Sequence, residues 1–174
     1  MLKRDCILNK NFTNLYNKFC PGPLTFILKL KKDSKISKFV TNKKKTLAVR
    51  FPSHPRAKSL LKILNYPLAA PSANISSRVS PVTKNHVKEE FGKKIKYIIE
   101  GGLSKIGLES TIINLTGKPE ILRIGSIDIN KLSKALKKKL LYRKKTYMKV
   151  PGQNRLHYSP GIPLRMNCKE ASLD

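Results

Sequence analysis

The sequence predicts a mixed α/β domain, and three observations carry the prediction. Short apolar runs rich in β-branched residues alternate with stretches whose apolar residues recur at helical spacing. Glycine, proline and serine clusters fall between them as turns and helix ends. The composition permits a single core: 174 residues, 40% hydrophobic, with a mean hydropathy of −0.35.

The elements follow in order. One short amphipathic stretch near the N-terminus carries Phe12, Leu15, Tyr16 and Phe19, thin cover for one side of a sheet. Leu24 to Leu30 (LTFILKL) and Thr46 to Phe51 (TLAVRF) read as strands, separated by a lysine-rich loop that includes NKKK at residues 42–45. His54 to Asn65 reads as a helix, because Ala57, Leu60, Leu61 and Leu64 share one face. Leu68 to Ala70 reads as a short buried strand ended by Pro71. Ser80 followed by Pro81 has the form of a cap and first helical position, leading into VTKNHVKEEF with Gly92 as the stop. Three further strands are predicted in IKYIIE, STIINLT and PEILRI, with glycine-containing turns between them. Ser126 and Asp128 open a last helix with Ile129, Leu132, Leu136 and Leu140 along its apolar stripe. Beyond Leu140 no period is visible. The reading is therefore a domain over residues 1–140, its regular part from about Phe19, with parallel and antiparallel pairs in its sheet, followed by an extended linker over 141–174.

The net charge of +27 and a pI near 10.3 favour polyanionic partners such as RNA or nucleotides. The basic residues are 29 Lys and 8 Arg, and scattered lysine is the pattern of a solvated surface rather than of base-reading forks. No single-strand or double-strand RNA-binding motif accompanies the charge. Cys6, Cys20 and Cys168 lack C-x-x-C spacing, and His54, His86 and His157 lie far apart, so neither a disulfide framework nor a metal site is expected. No apolar run approaches the ~20 residues of a membrane span, and the N-terminus lacks a signal core; the expectation is a cytoplasmic protein with no membrane partner.

The segment PLAAPSAN, Pro67 to Asn74, is free of charge in a chain dense with lysine. Ser72 and Asn74 offer a hydroxyl and an amide just past a strand end, where α/β proteins often bind ligands; a tight turn built from favoured turn residues explains the same letters. Arg50 stands alone inside the apolar pattern LAVRF; a surface strand residue would explain it, but an arginine isolated in such a pattern more often has a fixed partner. Ser110 and Thr111 equally suit a strand.

Taken in order, PGPLTFIL (21–28), TLAVRFPSHP (46–55), PLAAPSAN, Ser80-Pro81, GLESTIINL (107–115), ILRIG (121–125) and PGQNRLHYSP (151–160) resemble the YrdC-like threonylcarbamoyl-AMP synthases in their longer, two-domain form. The resemblance implies a twisted mixed sheet flanked by helices, with the N-terminal portion missing, since the family's Lys-x-Arg segment upstream of PGPLT has no counterpart, and with the C-terminal linker leading to an absent second domain. It implies an enzyme joining L-threonine, bicarbonate and ATP, with Mg²⁺ on the phosphates, into threonylcarbamoyl-adenylate and pyrophosphate. The product would feed a tRNA threonylcarbamoyl transferase machinery. The family positions that match Thr46, Ser72, Ser80, Arg123 and Tyr158 contact ATP, and those matching Arg50, Ala70 and Ser110 contact L-threonine, Arg50 at the carboxylate. Asn74 and Thr111 are neighbours of these contacts, and no residue is implied as a covalent nucleophile or metal ligand. The alternatives are an inactive or split fragment of such an enzyme and a basic RNA-binding module. With the Lys-x-Arg pair absent from the site, weak turnover is expected.

Overall fold

The computed structural model describes residues 2–142. Its elements are α1 (Leu2–Asp5), α2 (Lys10–Phe19), β1 (Leu24–Lys29), α3 (Lys38–Thr41), β2 (Thr46–Arg50), α4 (Pro55–Ile63), α5 (Lys84–Phe91) with a 3-10 turn at Gly92–Lys94, β3 (Thr111–Asn114), β4 (Glu120–Arg123), α6 (Ile129–Leu136) and β5 (Leu141–Tyr142). The strands form one sheet in the order β2-β1-β3-β4-β5. β1 pairs antiparallel with β2 and parallel with β3, β3 pairs antiparallel with β4, and β4 pairs parallel with β5. The sheet is mixed, as the sequence predicts.

Alternation along the strands builds the core. Leu24, Phe26 and Leu28 of β1 are fully buried on one face, with Ile113 and Ile121 from β3 and β4. Helices α2 and α6 cover that face with Phe12, Leu15, Leu132 and Leu136. Each helix begins on a side-chain cap. Asn9 accepts from the Phe12 amide, and its own amide donates to the Leu115 carbonyl at 2.9 Å, tying the start of α2 to the end of β3. Asp128 accepts from the Asn130 and Lys131 amides to open α6. The amphipathic stretch at Phe12 and Leu15 thus has α6 as its companion layer. On the opposite face, Ile27, Ile112 and Leu122 make a separate small cluster.

Three expectations are corrected. Residues 67–70 (PLAA) and 95–100 (IKYIIE) form no strand, and both lie in 51–109, where no residue is buried. Their apolar character is real, but a strand needs a hydrogen-bonding neighbour, and neither segment joins the sheet. The helix expected to begin at Ser80-Pro81 begins at Lys84: Thr83 caps it by accepting from the His86 amide, whereas the Ser80 hydroxyl donates to Glu109 at 2.8 Å. α6 ends at Leu136 on Lys137 in left-handed conformation, and Leu141–Tyr142 pairs with β4. The rest of the predicted linker lies outside the described residues.

Candidate functional site

One cross-strand row organises the open face of the sheet. Arg50 of β2 is opposite Thr25 of β1, Thr25 is opposite Ile112 of β3, and Ile112 is opposite Arg123 of β4. Residues in register point to the same side, so both arginines and Thr25 share a face. A register shift between Ile112 and Ile113 lets Leu122 join the Ile27–Ile112 cluster while its neighbour Arg123 also serves this face.

Ser110, immediately before β3 and buried, is the meeting point. Its hydroxyl lies 2.7 Å from that of Thr25. The Arg123 guanidinium donates to the Ser110 carbonyl through Nε at 3.1 Å and Nη2 at 3.0 Å, and Nη2 also reaches the Ser110 hydroxyl at 3.2 Å. From the other side, Arg50 Nε donates to the Gly22 carbonyl at 3.4 Å. Gly22 is required there, because a Cβ would stand 2.4 Å from the Phe19 carbonyl oxygen, and its amide is held by the Phe51 carbonyl. Burial, and then the positive charge of Arg123, push the Arg50 pKa down from its ordinary value. An arginine stays charged regardless, so two cations converge across two hydroxyls. Such an arrangement suits a carboxylate or a phosphate, the anions that a guanidinium recognises.

Of the remaining predicted residues, Ser80 and Thr111 connect to this centre, and the described contacts join none of Thr46, Ala70, Ser72 and Asn74 to it. Thr46 begins β2 opposite Lys29, on the same face as Arg50 by alternation and about 13 Å along the strand. Ser80 is linked to the centre through Glu109, the neighbour of Ser110. Ala70 and Ser72 lie on the exposed stretch between α4 and α5. Asn74 donates to the carbonyls of Ile75 and Arg78, folding its own turn. Thr111 is fully buried and its hydroxyl is engaged by the Gly125–Ile127 turn. Tyr158 lies outside the described residues.

Two residues escape a reading of the sequence alone. Thr25 in PGPLT looks like an ordinary strand residue, and only the register opposite Arg50 reveals it; Glu109 in GLEST gains its link to Ser80 through the fold. Among the described residues, no three His, Cys, Asp or Glu side chains gather to hold a metal.

The Sua5/YciO/YrdC family model, described as "Telomere recombination", matches residues 1–125. A threonylcarbamoyl-AMP synthase of Schizosaccharomyces pombe is 39% identical over 167 residues, covering 88% of this chain and 41% of its own length. One from Pyrococcus abyssi is 40% identical over 152 residues, covering 84% and 44%. The chain therefore spans less than half the length of these relatives. Among solved structures, P. abyssi Sua5 complexed with L-threonine superposes with a TM-score of 0.80 at 36% identity, covering 88% of this chain and 46% of that one. Escherichia coli YciO superposes with a TM-score of 0.64 at 28% identity, covering 75% and 63%.

Proposed function

The chain belongs to the Sua5/YciO/YrdC family, and from that premise we propose that it carries the substrate site of an L-threonylcarbamoyladenylate synthase. The observation that supports this most is that Arg50 and Arg123 share a sheet face with Thr25, whose hydroxyl meets that of Ser110, itself held by Arg123. A small amino acid needs its carboxylate neutralised and its hydroxyl hydrogen-bonded, and this corner of the sheet offers both kinds of group.

In this reading Arg50 takes the threonine carboxylate, with Ser110 and Ala70 beside the amino acid. Thr46, Ser72, Ser80, Arg123 and Tyr158 serve the nucleotide, and Asn74 and Thr111 flank these contacts. The threonine amine, carboxylated by bicarbonate with loss of water, presents a carbamate oxygen to the α-phosphorus of ATP. The new P–O bond forms as the bond to pyrophosphate breaks, giving threonylcarbamoyl-AMP. The protein's work is positioning and charge stabilisation. In this reading Mg²⁺ accompanies the triphosphate and neutralises its charge.

The product is destined for threonylcarbamoyladenosine in tRNA, through a transferase machinery in the cytoplasm. Proximity to RNA is supported by residues 29–45, which hold eight lysines and one acid around Phe39, 96% exposed. No helix among the described residues is long and apolar enough to cross a membrane.

The deciding experiment measures pyrophosphate release together with calorimetric binding of L-threonine. Release that requires L-threonine, bicarbonate and ATP together supports the reading, as does an affinity for threonine lowered at least about tenfold in Arg50→Ala, the loss expected for one charge-assisted contact. A chain that neither binds threonine nor turns over refutes it.

A further inference from the structure

We propose that Thr111 is the positioning residue of this site: its hydroxyl clamps the Gly125–Ile127 turn onto the Glu109–Thr111 backbone and thereby holds Ser110 and Arg123 in their mutual grip. The inference rests on the proposed function for its consequence in binding, though not for its geometry.

The Thr111 hydroxyl donates to the Ile127 carbonyl at 2.8 Å and accepts from the Ile127 amide at 3.0 Å and the Gly125 amide at 3.2 Å. One donor and two acceptor positions are all a hydroxyl has, so the group is saturated and has nothing left for a ligand. The turn it holds lies hard against the strand entry. A Cβ on Gly125 would stand 2.4 Å from the Glu109 carbonyl oxygen and 2.5 Å from both the Ser110 carbonyl carbon and the Thr111 nitrogen. The Ser126 amide adds a bond to the Glu109 carbonyl at 3.2 Å. Glycine supplies the close approach, and the threonine hydroxyl keeps it closed.

Covalent continuity carries this to the site. Ser110 directly precedes Thr111, and Arg123 lies two residues before Gly125. The two ends of the clamp are therefore the two partners of the Ser110–Arg123 contact, and slack in the clamp becomes slack in the guanidinium. Thr111 acts through Ser110 and Arg123 without touching substrate.

The test uses Thr111→Val, which keeps the shape and removes the hydroxyl, Thr111→Ser, which keeps the hydroxyl, and Leu132→Ala as a destabilised core control. Two readouts are taken on the full chain: water exchange of the Arg123 Nε–H by ¹⁵N NMR, and calorimetric affinity for L-threonine. Thr111→Val is expected to speed the exchange about tenfold and weaken threonine binding by a similar factor. Thr111→Ser restores both within about twofold, and Leu132→Ala lowers the melting temperature and leaves both unmoved. If Thr111→Val fails to fold, Thr111→Cys, with its weak donor, supplies a smaller increase of the same sign. A Thr111→Val or Thr111→Cys chain that melts lower yet keeps wild-type Arg123 exchange overturns the proposal and leaves Thr111 a core residue. Absence of threonine binding in the wild-type chain would refute the functional reading, and the Arg123 signal would still decide the clamp.

Discussion

Residues 52–109 and the sheet beside them obey the same local rules and differ in burial. Both regions have capped helices: His54 and Thr83 cap α4 and α5 as Asn9 and Asp128 cap α2 and α6. Yet α2 and α6 each bury two residues, and α4 and α5 bury none. Ile63, Tyr97, Leu103 and Leu108 of this arm are all well exposed. Caps and spacing suffice to define a helix, whereas stability comes from the face that finds a partner. The residues of the proposed site divide between the two regions. Arg50, Ser110, Thr25 and Arg123 stand on the packed half, and Ala70, Ser72, Asn74 and Ser80 on the arm.

That contrast breaks most visibly under truncation of apolar side chains. Phe26→Ala, in the fully buried centre of β1, should lower the unfolding free energy by about 3–5 kcal/mol. Ile63→Ala, at a position 82% exposed on α4, should change it by under about 0.5 kcal/mol. Urea titrations of both variants measure the difference. An Ile63→Ala loss comparable to that of Phe26→Ala would mean that the arm is packed after all.

A smaller effect separates the halves by pH. Burial, reinforced by the carboxylate of Asp5, pushes the Cys6 thiol up to about 11. The fold thus favours the protonated form, so its contribution is complete below pH 9 and is lost as the pH rises from 9 towards 11. At pH 8 the thiolate fraction should be about 100-fold below that of an ordinary cysteine. Iodoacetamide modification of Cys6, followed by mass spectrometry against the urea-unfolded chain, should be slower by at least that factor. Equal rates would show that the α1–β1 corner opens readily.

The smallest effect is expected in the arm itself. Thr83→Ala removes the cap from α5 and should cost that helix about 1 kcal/mol. Because α5 buries nothing, the loss should appear as faster amide exchange over Lys84–Phe91 with little shift of the global melting temperature. A matching fall in global stability would couple the arm to the sheet.

The legible parts of the molecule are those where one periodicity decides the matter. LTFILKL, TLAVRF, STIINLT and PEILRI each contain a strand, and the Ile129, Leu132 and Leu136 stripe forms α6. PLAA and IKYIIE carry equally apolar letters and form no strand, because pairing is a property of neighbours, not of the segment. Ser80-Pro81 is a valid cap signal, yet α5 starts at Lys84, because the fold brings Glu109 within reach of the Ser80 hydroxyl. The shared face of Arg50 and Arg123 depends on register across four strands, which no local window contains. For the same reason Thr25 passes as a plain strand residue, and the bonding of Thr111 to residues fourteen and sixteen positions away stays hidden.

The parallel pairing of β1 with β3 joins residues 24–27 to 111–114, although β2 and the whole arm intervene in the chain. The arm is therefore one long excursion closed at its base by the sheet. Closing such an excursion costs conformational entropy that grows only logarithmically, about 0.6 kcal/mol for each doubling of its length. Insertions and deletions between Arg50 and Ser110 should accordingly be tolerated by the sheet far better than any change within β1. The same base makes the β1–β3 contact non-local, the kind of contact that slows folding in general. A fold arranged this way can vary the excursion while the strands that carry both arginines stay fixed.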